Sequence, residues 1–554
     1  MPKLNNSIEP GTRPVFAAIA LLLFLVNVRA HASAIIVRNG VETIQNSLNE
    51  AVANLRSGDT LRLSGKFVVQ PDYGGGEASN QAPLQITGKT NISIMGGGDA
   101  EIFGSGPGDF LSIENCRHLR ISGVTFHGDR PPANQIPNGL FSMVQLRRTN
   151  SFLNFTRCSF IDFGNHGISH LWGPKSSEFV TVSECRFIAG GATNVPGLLF
   201  DGAAVSGIGS HWRVVDNDVI DCVRGFEIEN SGSNIVESVI FRGNDLRGVL
   251  DIGIMLFVTN GDGDKYRDIS ITGNTFTSFR YGAGRAAAVT LAGGRRVLIA
   301  NNVIRGMLKH GLELWSDASS YDLNVTGNTI SECGTGIILW RRGFPHRQSL
   351  IRGNQISFCN RNAILVIDAD AVTIQGNRCF NNGQVTSSPA IDLRGDCDNI
   401  VIRENQCFDD QTVKTQSHGI SLGSGVRDAL VLGNIVLDSQ AGDSGMHDDA
   451  SNTRLSGNWF SVNASFGGQG QSATMVYVSR PPIRSLSLLS AGDAQLNVET
   501  QTGVRYQLQY KDELTATSWT DSGSSVLATG AVTLFSDSLG TRLRRFYRVV
   551  LSAD

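Results

Sequence analysis

Hydrophobic residues in the middle of this chain recur in one short phrase: a small residue, an aliphatic one, any residue, a second aliphatic one, any residue. It reads GFEIE at 225–229, GIMLF at 253–257, GLELW at 311–315, GIILW at 336–340, AILVI at 363–367 and AIDLR at 390–394. Alternation of this kind, four to six residues long, predicts a short strand. No stretch between the phrases carries the ten or more residues of 3.6-fold periodicity that a helix needs. Each phrase follows an Asn. Asn217, Asn244, Asn274, Asn302, Asn328, Asn354, Asn377, Asn405, Asn434 and Asn458 succeed one another at intervals of 23 to 30 residues. Val124, Cys158 and Cys185 occupy weaker, earlier equivalents.

An interval drifting around 27 means one structural unit per repeat, with loops of variable length. Leucine-rich repeats space their Leu and Asn differently, and propeller blades are longer. A parallel β-solenoid fits: one coil per repeat, coils stacked about 4.8 Å apart. Asn tolerates left-handed backbone angles and can bond its counterpart in the next coil. The Asn row is therefore expected to be structural.

The stretch VETIQNSLNEAVANLRSGDTLRLSGKFVV, 41–69, puts Ile44, Leu48, Ala51, Val52 and Leu55 on one helical face. A helix there would cover the first coil and protect its edge. With its GDT strand and the repeats behind it, the chain resembles the right-handed parallel β-helix superfamily that includes pectate lyases, over roughly Ile35 to Ser479. The resemblance implies an all-β, single-stranded, right-handed parallel β-helix with an N-terminal capping helix. It leaves the reaction open, since the superfamily holds lyases, hydrolases, epimerases and non-enzymes.

The two ends differ from the middle. Lys3 and Arg13 precede an apolar run from Val15 to Val26, and small-x-small patterns follow at Ala30–Ala32 and Ala32–Ala34. That predicts a signal peptide over 1–32 and a mature chain that is secreted, whether extracellular, periplasmic or at the cell surface, with no membrane span. Residues 480–485 read as a linker. Residues 486–554 carry short alternating strands (AQLNVET, RYQLQYK, AVTLFSD, RFYRVVL) and predict a small C-terminal β-sandwich. It resembles modules that end secreted bacterial proteins with a similar RRFYRV.

Composition adds limits. The chain has 554 residues, 63 Gly, 15 Pro and a formal net charge of −3. That length exceeds one ordinary compact domain, and that charge gives no bulk attraction to nucleic acid. The nine Cys include Cys333/Cys359 and Cys379/Cys407, at matching offsets from their Asn. They predict stacked, buried thiols rather than disulfides.

The outward positions of the phrase carry the candidate chemistry. They form rows along the solenoid: Glu227 and Glu229, Met255 and Phe257, Thr290 and Ala292, Glu313 and Trp315, Ile338 and Trp340, Leu365 and Ile367, Asp392 and Arg394. Phe257, Trp315 and Trp340 offer stacking surfaces for sugar rings, with Arg341, Asp392 and Arg394 beside them as binding residues for a polysaccharide. Loops folded over these aromatics would make a second small core instead. Glu227 and Glu229 lie two apart on one strand, about 6.8 Å between Cβ atoms. Such a pair, with Glu313 further along, suits acid–base cleavage of a glycan. It also suits Ca²⁺, and a simply solvated pair is the third reading. Asp262 and Asp264 in NGDGDKYRD resemble the start of a calcium loop. The Glu-x-Glu looks like the calcium-ligating pair of the alginate and dermatan-sulfate lyase branch, although EIENSGSN lacks that branch's Lys. The resemblance implies a lyase acting on an acidic, uronate-containing glycan. A glycoside hydrolase using paired carboxylates and a non-catalytic carbohydrate-binding protein stand beside it. The chain is expected to act as a monomer. His166, His310 and His418 each precede the small residue of a phrase, as turn residues, and His170 falls on the inward side.

Overall fold

The computed structural model describes residues 32–70, 72–73, 80–104, 109–128, 142–170, 175–195, 198–230, 235–258, 265–277, 279, 286–341, 346–437, 445–460, 465–466, 483–488, 493–500, 505–513, 518–538 and 545–551. The segment read as a signal peptide, up to residue 31, lies outside them. So do Asp262, Asp264 and the side chain of Phe257.

Each repeat makes one coil of a parallel solenoid. One sheet of 15 strands runs from Lys66–Val69 to Trp459–Phe460, every neighbour parallel. A second, 33-stranded sheet holds the other two strands of each coil. These two ladders merge because Ala287–Ala300 and His310–Thr326 run through both without a break. The interior is one continuous apolar cluster, and the phrase's aliphatic positions fill it, as Ile228, Leu256, Leu314 and Leu339 do.

The small residue of the phrase is explained by crowding. A Cβ on Gly253 would stand 2.6 Å from the Ala288 carbonyl oxygen, and one on Gly336 would stand 2.5 Å from that of Ala363. At these two coils the next coil's backbone leaves no room for a Cβ, so the place is held by Gly.

The Asn row is a buried hydrogen-bond chain. Asn328 Nδ2 donates to Asn354 Oδ1 at 2.9 Å and to the Ile299 carbonyl at 2.9 Å. Its own Oδ1 accepts from the backbone and side chain of Asn302. The pattern repeats from Asn217 to Asn458. Cys185 continues it upstream, its amide donating to Asn217 Oδ1 at 2.9 Å. The left-handed angle sits one residue earlier than expected: Asp216, Gly243, Asn301 and Gly327 carry φ of 55, 66, 55 and 64°. The Asn then turns its amide inward along the axis.

The N-terminal cap departs from its expectation. Val41–Gln45 is a strand, antiparallel to Ser33–Arg38, and Ile44 is 75% exposed rather than part of a helical face. The helix is only Leu48–Ala53. Ser47 Oγ accepts from the Glu50 amide and Glu50 Oε2 accepts from the Asn46 amide, a reciprocal cap that fixes the start after the β-branched run. Leu48, Ala51, Val52 and Leu55 are buried as predicted.

All nine Cys are free thiols and buried, and Cys379 stands in register with Cys407. The C-terminal segment forms two three-stranded antiparallel sheets around Ala494, Leu496, Val498, Tyr506, Leu508, Phe535 and Val549, a small sandwich. Its first strand, Ile483–Leu488, begins inside the stretch assigned to the linker. Ile435 and Leu437, from the 15-stranded sheet, pack against its core.

Candidate functional site

The predicted outward rows are in register. One row runs Ser206, Glu227, Met255, Thr290, Glu313, Ile338, Leu365, Asp392, Ser421, His447. The row beside it joins Ile208, Glu229 and Phe257, then Ala292, Trp315, Trp340, Ile367 and Arg394. Three acids of the first row are buried, at 3% for Glu227, 6% for Glu313 and 3% for Asp392. Each is separated from the next by three coils, about 14 Å.

Glu227 heads the densest cluster. Strand Arg224–Asn230 has Gly225 as its second residue, pressed against the Gly253 carbonyl, and Arg224 reaches the Glu227 side from the strand's first position. Arg224 Nη1 lies 3.6 Å from Glu227 Oε1, while its Nε donates to Asp251 Oδ2 at 3.0 Å. Burial pushes the Glu227 carboxyl up to about 7. Arg224, and more weakly His166, pull it down, whereas the charge of Glu229 and a side-chain hydrogen bond with it push it up. Glu227 thus holds a proton near neutral pH with a second carboxyl as partner. Glu229 is partly exposed and is where solvent reaches the pair. His166 is buried at 6% and stands two coils before Arg224 in the same row.

Glu313 makes a smaller cluster. Its Oε2 accepts from Thr290 Oγ1 at 3.2 Å, and Oε1 lies 4.0 Å from His310 Nε2. Burial, aided by Lys309 and Arg361, lowers the His310 pKa to about 4, so this ring is neutral at pH 7. Asp392 takes Arg394 Nε at 2.8 Å and Asn362 Nδ2 at 3.3 Å. That fixes Arg394 against its own strand's acid.

The aromatic pair divides. Trp315 and Trp340 meet edge to face at 5.7 Å. Trp315 is 2% exposed and belongs to the main apolar cluster, so it is no open stacking platform; Trp340 is half-buried at its edge. Met255, Thr290 and Ala292 are also buried. The outward face is therefore a covered one over these coils, and Glu229, Trp340, Arg341, Ile367 and Arg394 are among its accessible members.

Residues 201–346 and 287–460 match the family model of the right handed beta helix region. The solenoid is a right-handed parallel β-helix. Among solved structures, the β-helix is similar to the tailspike protein of E. coli bacteriophage HK620 in complex with pentasaccharide. The two are 15% identical, with a TM-score of 0.36 over 89% of this chain and 86% of that chain. The Dettilon tailspike protein is 13% identical, with a TM-score of 0.34 over the same shares. No curated protein matches the sequence.

Sequence reasoning missed the residues that tune Glu227 in this β-helix. Arg224 lies just before the small residue of its phrase, and Asp251 two before that of the next coil. His166 and His310 hold the corresponding place on their coils. They were expected to serve the turn, yet the turn aims them at the acid three residues on, or in the same rows. His170 agrees with its inward assignment: it is buried and its Nε2 lies 2.9 Å from the Arg148 carbonyl. No group of three His, Cys, Asp or Glu side chains among the described residues is arranged to hold a metal ion.

Proposed function

We propose that the protein is an exported enzyme that cleaves a polysaccharide at Glu227 and Glu229, as a glycoside hydrolase. The observation that supports this is a buried carboxyl that keeps its proton to about pH 7, paired with a more exposed carboxyl. Glu227 would protonate the glycosidic oxygen. Glu229 would stabilise or attack the anomeric carbon from the other side. The two-residue spacing allows the carboxyls to part by about 5 Å when a sugar enters, the separation used for retention of configuration.

β-Elimination on a uronate is the second reading. It is favoured by the exposed Arg341, which follows Trp340 at the end of its strand and suits an acidic sugar. Against it, Arg224 is engaged by Asp251 and Glu227, and the coil from 224 to 237 contains no Lys to serve as base. Calcium at the pair would need both carboxyls ionised, so the proton on Glu227 opposes it at neutral pH.

A panel of neutral and acidic glycans separates these readings. Hydrolysis releases reducing ends without absorbance near 235 nm; elimination produces that absorbance. Glu227→Gln and Glu229→Gln should each remove most turnover, with a chelator doing nothing. Turnover that survives both substitutions, or that a chelator abolishes, ends the carboxyl-pair reading. Binding without any product would assign the protein to carbohydrate recognition alone.

A further inference from the structure

A second face, on the other ladder of the large sheet, carries side chains that the fold does not require. At one turn of every coil a residue adopts the left-handed conformation. In successive coils these are Asn91, His118, Phe152, Phe179, His211, Ser238 and Asp268, with φ between 54 and 61°. Small polar residues suit such a turn, because their side chains bond locally and tolerate the close Cβ. Phe152 and Phe179 do neither, and they are 38% and 44% exposed. The four rings stack: His118 on Phe152 at 4.6 Å, Phe152 on Phe179 at 4.7 Å, Phe179 on His211 at 4.3 Å. Stacking recovers part of the cost. The interior already has such a stack in Phe126, Phe160 and Phe187, where burial adds to it. Exposed rings at strained turns therefore point to use rather than to packing.

The row two residues on lies on the same face and reads Arg120, Asn154, Thr181, Arg213. Two exposed guanidinium groups thus bracket an amide and a hydroxyl, three coils apart, about 14 Å. Neither Arg120 nor Arg213 forms an ion pair among the described residues. In the row on the other side, the Glu178 carboxylate is taken up by Ser176 Oγ at 3.0 Å and the Ser210 amide at 3.0 Å. What remains is an exposed aromatic strip, polar groups beside it, and unneutralised positive charge at both ends.

We propose that this face is a non-catalytic binding site for an acidic oligosaccharide. The apolar side of the sugars would lie along the exposed edges of Phe152 and Phe179. Hydroxyls would meet Asn154 and Thr181, and carboxylate or sulfate groups would meet Arg120 and Arg213. The site is separate from Glu227 and does not depend on its chemistry; it would hold a charged chain to the flank of the solenoid.

The test uses the full chain carrying Glu227→Gln, titrated calorimetrically with an oligogalacturonate hexamer and with neutral cellohexaose. The acidic hexamer should bind, more weakly at high salt, and cellohexaose should not. Phe152→Ala with Phe179→Ala, and separately Arg120→Gln with Arg213→Gln, should each weaken binding by about tenfold or more. Should the alanine pair fail to fold, Phe152→Leu with Phe179→Leu keeps apolar bulk and removes the rings. Unchanged affinity in both pairs overturns the proposal, as do absent binding and equal binding of cellohexaose. Sedimentation of the same proteins adds one arm: if the parent is an oligomer and the Phe variants are monomers, the face belongs to a second copy of the chain, and the glycan proposal falls.

Discussion

Arg224 Nε donates to Asp251 Oδ2 at 3.0 Å across one coil, and this bond holds the guanidinium 3.6 Å from Glu227 instead of against it. Asp251 is itself 5% exposed, so the pair is fixed within the fold. The positive charge near Glu227 is thereby shared, and the carboxyl keeps its proton.

Removing that charge should raise the Glu227 pKa further, because Arg224 is the largest influence lowering it. In Arg224→Met the alkaline limb of the pH–rate profile should move to higher pH. In Asp251→Asn the guanidinium is released toward Glu227, and the limb should move to lower pH. A carboxyl infrared titration of the same variants, with Glu227→Gln as the blank, checks the sign without turnover. Identical titrations in all three proteins would remove Arg224 from the account.

Glu227 should also leave a mark on stability. Its folded pKa of about 7 lies above the ordinary carboxylate value, so the folded state binds more protons than the unfolded one between those values. Stability should fall as pH rises through that window, and level off above it. Glu227→Gln should therefore stabilise the protein at pH 8, by on the order of 3 kcal/mol, and change little at pH 4. His346 opposes this trend. It is fully buried and burial lowers its pKa to about 4, so its contribution is lost as pH falls from the ordinary histidine value toward 4. Thermal melts of wild type and Glu227→Gln across pH 4–8 give the comparison.

The Asn row predicts position-dependent damage. Asn328→Ala leaves the Asn302 amide groups, the Ile299 carbonyl and Asn354 Oδ1 short of partners inside the solenoid. A loss of roughly 3–5 kcal/mol is expected from several buried groups at once. Asn458, the last of the row among the described residues, donates to the Val431 carbonyl and accepts from Asn434, with no next Asn among them to serve. Asn458→Ala should cost clearly less, and urea midpoints will rank the two.

The two tryptophans should behave differently. Trp315→Ala removes a buried ring and should destabilise by about 3–5 kcal/mol. Trp340→Ala should cost less in stability and more in glycan affinity, its ring being at the accessible edge. Equal stability losses with no change in affinity would place both in the core.

Much of this was legible beforehand. Asn at intervals of 23 to 30 and the small-aliphatic-x-aliphatic phrase identify coils, and the outward rows from Glu227 to Arg394 follow by counting. Exposure did not follow, because alternation fixes which way a side chain points and not what lies over it; Trp315 and Trp340 share a row and differ in burial. The role of Arg224 was hidden because it stands at the strand's first residue, three before Glu227, where alternation would count it to the other face. The row of Phe152 and Phe179 was hidden for a related reason. It lies upstream of the Asn series, at intervals of 34, 27 and 32 residues from His118 to His211, where only the weaker Val124, Cys158 and Cys185 mark the coils.

Coils of 23 to 30 residues share rung bonds that stay at 2.9–3.0 Å along the Asn row. Length differences are absorbed at the perimeter, while the axial step stays constant. The molecule is in effect a graduated ruler, on which a group can be moved only by whole divisions of about 4.8 Å. Glu227, Glu313 and Asp392 mark every third division of one edge, and Arg120 and Arg213 mark the same span on another. A polymer lying along the exposed edge of Arg120 and Arg213 would be read by its repeat length, a property that no single pocket on a globular enzyme can measure.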